Sequence, residues 1–223
     1  MKIIKKLMVI ALFIGLSLNF NIKAQASTHL SKGNIFYDAN LKYKVTQAGT
    51  DSEKGSVQVL GINPDYYKRD ATIGVSINAT AYFNETGEEF YVTSVKSGAF
   101  KNKKKIVVAT AHIYDEHGVK QIPANCFSGC TRLKYFGIGG YCTSVGKNAV
   151  KGCTKLISFV VQNPKGKIDI KSGAFKGTKK VELNYYDDEK TMPVGYVKTL
   201  AKLVKKRGAK KVVYTYNYRK KTI

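Results

Sequence analysis

The chain has 223 residues, with 38 Lys and Arg against 15 Asp and Glu and a formal charge of +23. That length allows one elongated domain or two small ones, and the positive excess favours polyanionic partners. Beyond the N-terminus no second long apolar segment occurs, which excludes a further membrane-length span.

Residues 1–26 read as a signal peptide. Lys2, Lys5 and Lys6 give a basic start, Leu7 to Phe20 form a short apolar run, and Ala24-Gln25-Ala26 supplies a small-x-small cleavage pattern. The alternative is an N-terminal membrane anchor. No Cys follows the run, which argues against a lipoprotein. The expected product is an exported, soluble chain from about Ser27 to Ile223 carrying +19, since the leader holds four Lys and no acid. For such a chain the polyanions are teichoic acids, anionic lipid, acidic glycans or released nucleic acid. A Lys-rich solvated surface with no specific partner is the plainer alternative.

Residues 27–92 form the next region: Ser27 to about Asn34 is polar and loose, and from Ile35 to Val92 the pattern has period two. Leu41, Tyr43 and Val45 alternate with polar residues, as do Val57 with Val59 and Val75 with Ile77, with Gly55, Gly61 and Asn63-Pro64 as punctuation. Tyr82-Phe83, a turn at Asn84–Gly87 and Phe90–Val92 read as a hairpin. This N-terminal β region is expected to cap the segment after it, because an open solenoid end exposes apolar core and strand edges.

Residues 93–185 repeat. VKSGAFKNKKKI, IPANCFSGCTRL, VGKNAVKGCTKL and IKSGAFKGTKKV each carry a large apolar anchor, Phe100, Phe127, Val150 or Phe175. Six residues later comes a second apolar position, Ile106, Leu133, Leu156 or Val181, and the anchors step by 27, 23 and 25 residues. That period marks a leucine-rich-repeat solenoid. The fold class is therefore an α/β repeat solenoid with a parallel strand face, an N-terminal β cap and a C-terminal helix-strand cap. Each anchor segment is expected to form a short helical or 3₁₀ turn, ended by Gly129, Gly152 or Gly177. The stretches from Leu133 and from Leu156 are expected to form strands.

Cys130 and Cys153 share one repeat slot, and Cys126 sits where Ala99, Ala149 and Ala174 stand. Those are positions for small buried thiols, although adjacent coils are close enough for a Cys130–Cys153 bridge. No Cys pair has zinc spacing, and His29, His112 and His117 show no ligand pattern. The repeat ends in residues 186–223. Val194, Val197, Leu200, Ala201 and Val204 recur at helical spacing before Gly208, and Val212, Tyr214, Tyr216 and Tyr218 alternate as one strand.

The AF-x-G-C-x-x-L core, present as CFSGCTRL and AVKGCTKL with the looser AFKNKKKI and AFKGTKKV, resembles the BspA-like (treponemal-type) leucine-rich repeat. LKYKVTQAG and GSVQVLGI resemble the β region that leads into such arrays in secreted proteins of Gram-positive gut bacteria. The resemblance covers about Lys42 to Tyr216. It implies a curved solenoid in an exported or surface protein, in several members linked to adhesion or to host and matrix proteins.

No catalytic constellation stands out, and no cofactor is expected. His112, Asp115, Glu116 and His117 cluster in a long loop where solvated polar residues are normal, and Asp187-Asp188-Glu189 reads as a turn before a helix. The candidate polyanion site is the basic cap: Lys205, Lys206, Arg207, Lys210, Lys211, Arg219, Lys220 and Lys221, with tyrosines interleaved. The plainer reading makes those lysines protection for an edge strand. The second candidate is the solenoid face, through Lys134, Tyr135, Ser158 and Glu182. The expected function is a monomeric, non-enzymatic interaction protein, secreted or loosely attached to the cell surface. Its expected partner is a host, matrix or bacterial surface protein, or an anionic wall polymer. The alternatives are an accessory module or enzyme of unseen activity, and a structural scaffold.

Overall fold

The computed structural model describes residues 29–188 and 190–222. The expected leader, residues 1–26, lies outside them, as does Glu189.

Period-two alternation yields β1 (Ile35–Asp38), β2 (Leu41–Gln47) and β3 (Gly55–Ile62), whose Leu41, Tyr43, Val45, Val57 and Val59 all face inward. Asn63 then caps α1 (Pro64–Arg69) by accepting from the Asp65 amide, with Pro64 at the first helical position. The Asn63-Pro64 pair expected only to punctuate the strands also starts a helix, because proline lacks an amide that the first turn leaves unused. After β4 (Ile73–Ser76), the expected hairpin is formed by β5 (Thr80–Phe83) and β6 (Glu88–Val95). These strands close a five-stranded sheet of order β1-β2-β3-β6-β5.

The remaining strands build the solenoid. β7 (Ile106–Ile113), β9 (Tyr135–Gly140), β11 (Ser158–Gln162), β13 (Lys180–Tyr186) and β14 (Lys211–Tyr216) lie parallel, one beside the next. β4 pairs with β7 at one end, so the parallel sheet begins inside the segment read as N-terminal β region. At the other end β15 (Arg219–Thr222) pairs antiparallel with β14 and completes seven strands. Asn217 and Tyr218, both at positive φ, form the tight turn between them. The single strand expected through Tyr218 is thus a hairpin.

Three two-residue strands, β8 (Gln121–Ile122), β10 (Ser144–Val145) and β12 (Asp169–Ile170), stack in parallel as a second side. The anchor turns make the third side. They are not helical, contrary to expectation. Positive φ, between +56° and +85°, recurs two residues before each anchor (Gly98, Asn125, Asn148, Gly173) and two residues after it (Asn102, Gly129, Gly152, Gly177). This alternation aims the anchor amides between coils: Phe100 donates to Cys126 O at 2.9 Å, Phe127 to Ala149 O at 2.7 Å and Val150 to Ala174 O at 2.9 Å. A helix would turn those amides inward along its own axis. Glycine and asparagine fill the slots because they tolerate the left-handed region.

The anchors stack inside. Phe100 and Phe127 lie 4.9 Å apart with rings nearly parallel, and Phe136, Phe159 and Phe175 continue the column. Each is essentially fully buried, a contribution of about 1.5–3 kcal/mol per side chain. All four cysteines are free and buried. Cys130 Sγ donates to Phe100 O and Cys153 Sγ to Phe127 O, so each thiol satisfies a carbonyl of the preceding coil.

α2 (Val194–Lys206) buries Val197, Leu200, Ala201 and Val204, the face its spacing foretold. Asp187 is almost fully buried and accepts from Thr191 Oγ1 and the Met192 amide, fixing the entry to the helix. At its exit, Arg207 O receives the Phe175 amide at 3.1 Å, so the helix end takes the place of a further anchor turn.

Candidate functional site

Two surfaces remain open on this frame. The first is the outer face of the parallel sheet. Strand register sets Tyr135 beside Ser158 and Ser158 beside Glu182, so three of the face candidates share one row. Tyr135 is 46% exposed, flanked by Val108 of β7. The next row holds Thr110, Gly137, Val160, Asn184 and Thr215. Its polar groups are tied across strands: Asn184 Nδ2 donates to Ser158 Oγ, and Thr215 Oγ1 donates to Glu182 Oε1. Lys134 is exposed and lies one residue ahead of β9, at the sheet's lower rim.

Further along the face, His112 of β7 packs over β9. A Cβ at Gly137 would stand 2.9 Å from His112 Nε2, so the glycines of Tyr135–Gly140 make room for the imidazole. Its Nε2 is buried without a hydrogen-bond partner among the described residues, and burial holds its pKa below the usual value. His117 stacks on Tyr91 at 4.6 Å and pairs with Asp115 at 2.9 Å. That arrangement braces the loop after β7 and brings no nucleophile to a base. Among the described residues no group of three His, Cys, Asp or Glu side chains could hold a metal.

The second surface is basic. Residues 117–223 carry 23 Lys and Arg against 5 Asp and Glu, whereas residues 29–116 carry 11 against 10. The charge therefore belongs to the later coils. The structure divides the basic cap into two groups. Lys205, Lys206, Lys210 and Lys211 gather where α2 ends and β14 begins. Arg207 is half-buried and donates through Nε to Ile170 O, clamping the helix to the last coil. Arg219 and Lys220 lie at the far end of β14, about 17 Å away by strand rise. Lys220 faces Glu182 at 3.9 Å on the sheet's outer side, and Lys221 pairs with Tyr214 in backbone register.

Lysines of the repeats extend the first group. Lys151 and Lys176 each follow an anchor, and the Gly152 amide donates to Lys176 O, so these two stand in adjacent turns. Lys180 is in direct register with Lys211, and the Lys211 amide donates to Lys179 O. Lys155 holds the same repeat slot as Lys180, five residues after its anchor, one coil earlier. These five lie outside the candidates singled out from sequence, although the slots K-G after the anchor and T-K ahead of the strand recur. Their earlier counterparts are engaged. Lys105 Nζ donates to Tyr67 O and Lys68 O, and Arg132 Nη1 to Ala71 O, pinning α1 and its exit to the array.

A strand-rich solenoid with an open face and a charged rim is the architecture of a leucine-rich-repeat array. The chain belongs to the BspA type leucine rich repeat family, whose repeat region matches residues 77–193 in six copies. The match begins at Ile77, ahead of the four copies legible by eye, and takes in the β5–β6 hairpin. Domains of this kind generally mediate protein–protein interactions. The five-stranded N-terminal sheet and the second, three-stranded sheet extend the array beyond one simple parallel face. No curated protein and no solved structure matches the chain.

Proposed function

We propose that this is an exported, non-enzymatic interaction protein that binds a protein or an anionic surface polymer through its solenoid face and basic C-terminal region. The observation that carries the reading is the charge imbalance: 23 basic against 5 acidic residues from residue 117 onward, on a scaffold whose repeats are spent on packing. Such a field raises the encounter rate with polyanions and with acidic protein patches. No described helix is long and apolar enough to cross a membrane. The reading sets the protein outside the cell or loosely on its surface, as a monomer, with residues 27–92 and 186–223 flanking the repeats of 93–185 as caps. Its partner is a host, matrix or bacterial surface protein, or an anionic wall polymer.

The test is binding of the purified protein to teichoic acid, heparin and immobilised matrix proteins across a salt series. Salt-sensitive capture by the polymers supports the polymer branch, and salt-insensitive capture of one protein supports the sheet face. Absence of binding to every probe at low salt rejects the reading.

A further inference from the structure

We infer that the lysines of the last three coils form one continuous strip that binds a flexible, linear phosphodiester polymer lying along the solenoid axis, across the coils. The inference rests on the interaction reading above and deepens it by naming the surface and the polymer's course.

Three observations carry it. The first is register. Lys155 and Lys180 fill the same repeat slot of successive coils, and Lys180 and Lys179 meet Lys211 of the cap in strand register, with Lys210 beside it. A parallel row runs through Lys151 and Lys176 towards Lys205 and Lys206 at the end of α2. There Gly208 packs so tightly that a Cβ would stand 2.6 Å from Lys176 Cα. Neighbouring coils are separated by about 4.8 Å, so the strip offers cations at short, regular steps along the axis.

The second is the absence of counter-charge. Among the described residues none of these nine lysines forms an ion pair, and all are exposed. The one carboxylate in the neighbouring strands, Glu182, shares the outer face with Lys180 but is engaged there, accepting from Thr215 and meeting Lys220. The sequence holds no Asp or Glu between Glu116 and Asp169. Like charges stacked coil upon coil repel one another, and an external polyanion relieves that repulsion by releasing its own counterions.

The third is composition. The strip is made of lysine, while the arginines nearby, Arg132 and Arg207, are spent on backbone carbonyls. Lysine is a mobile point charge, and arginine is the residue that reads phosphate geometry through a fixed fork. A lysine strip therefore responds to charge density and tolerates a flexible chain, the character of a repeating phosphodiester.

The experiment compares the wild-type chain with a strip variant (Lys155→Gln, Lys180→Gln, Lys211→Gln) and a control variant of equal charge (Lys32→Gln, Lys44→Gln, Lys96→Gln). Binding to poly(glycerol phosphate) of graded length is measured between about 50 and 200 mM salt. The expected result is affinity that climbs with polymer length, falls at least tenfold in the strip variant and stays within twofold in the control. The slope of log affinity against log salt should shrink by about 2–3 in the strip variant alone. Equal losses in both variants overturn the strip while leaving polymer binding intact, because net charge then suffices. Strip-dependent binding of heparin with none of poly(glycerol phosphate) overturns the phosphodiester assignment. Loss of all polymer binding by the wild type at low salt overturns both the strip and the polymer branch of the proposed function.

Discussion

At the scale of single residues, the anchor turns depend on backbone conformation as much as on side chains. Gly129 and Gly177 hold the same slot at φ +76° and +85°, yet their surroundings differ. A Cβ at Gly177 would rest 3.5 Å from Gly152 Cα, an ordinary contact, whereas one at Gly129 would land on Asn102 Oδ1. Gly177→Ala should therefore cost about 1–2 kcal/mol, the penalty of the left-handed region alone. Gly129→Ala should cost more, since Asn102 must also move. Denaturant unfolding of the two variants measures the difference, and equal losses would remove Asn102 from the account. His112 gives a second prediction at this scale. Burial lowers its pKa from the ordinary 6.5, so as pH falls the unfolded chain takes up the proton first. Its contribution is present above pH 6.5 and is lost as pH falls below that value. His29, raised chiefly by its bond to Asp51, works in the opposite sense. Replacing His112 with Asn should flatten the decline in Tm from about pH 7 to pH 5; an unchanged decline would assign it to other groups.

At the scale of elements, each coil closes its own hydrogen bonds with its neighbours and leaves little to solvent. The thiols show how far this goes. Burial pushes Cys130 and Cys142 up to about 12 and raises Cys126 and Cys153 as well. Thiolate is the reactive form, so a thiol reagent at pH 8 should label none of the four in the folded protein and all four after unfolding. Labelling of fewer than four on unfolding would reveal a disulfide. The helix α2 was legible as an element because its buried residues recur at helical spacing and Gly208 stops it. The turn at Asn217-Tyr218 was not, since Tyr218 extends the alternation of Val212, Tyr214 and Tyr216 by one more step. Pairing of β15 with β14 is a long-range choice that a period-two pattern cannot express. The anchor turns escaped for a related reason: Gly-Ala-Phe suits a short helix locally, and only the carbonyls of the next coil draw its amides outward.

At the scale of the whole molecule, charge is distributed unevenly. Residues 29–116 are nearly neutral, and the large excess lies on the later coils. Self-repulsion there opposes the compact state, so stability should rise as the Debye length shrinks from about 30 Å at 10 mM to about 8 Å at 150 mM salt. The Tm measured by differential scanning calorimetry at those two ionic strengths checks this. A Tm that falls with salt would mean that the surface ion pairs, such as Lys54 with Glu89, outweigh the repulsion. A ligand that binds only the folded state stabilises it further, by about 2.7 kcal/mol at one hundred times its Kd.

By itself the sequence determined the repeat, the residues that face inward, the buried thiols and the terminal helix. Each of these comes from local spacing, and a solenoid contacts chiefly its nearest neighbours in sequence. Only the tertiary structure decided where the charges meet. Lys155 and Lys180 share a repeat slot 25 residues apart, but Lys211 follows 31 residues later outside the repeat, and only strand register makes it a neighbour of Lys180. The same register set Lys220 against Glu182 and sent Arg219 to the other end of β14, dividing a run of basic residues that looks continuous when written out. A hydrophobic period announces its own geometry because burial acts on every turn alike. Surface charge follows that period only in part, at slots such as Lys155 and Lys180, and the lysines of the cap fall outside it, so their grouping waits on how the coils are stacked.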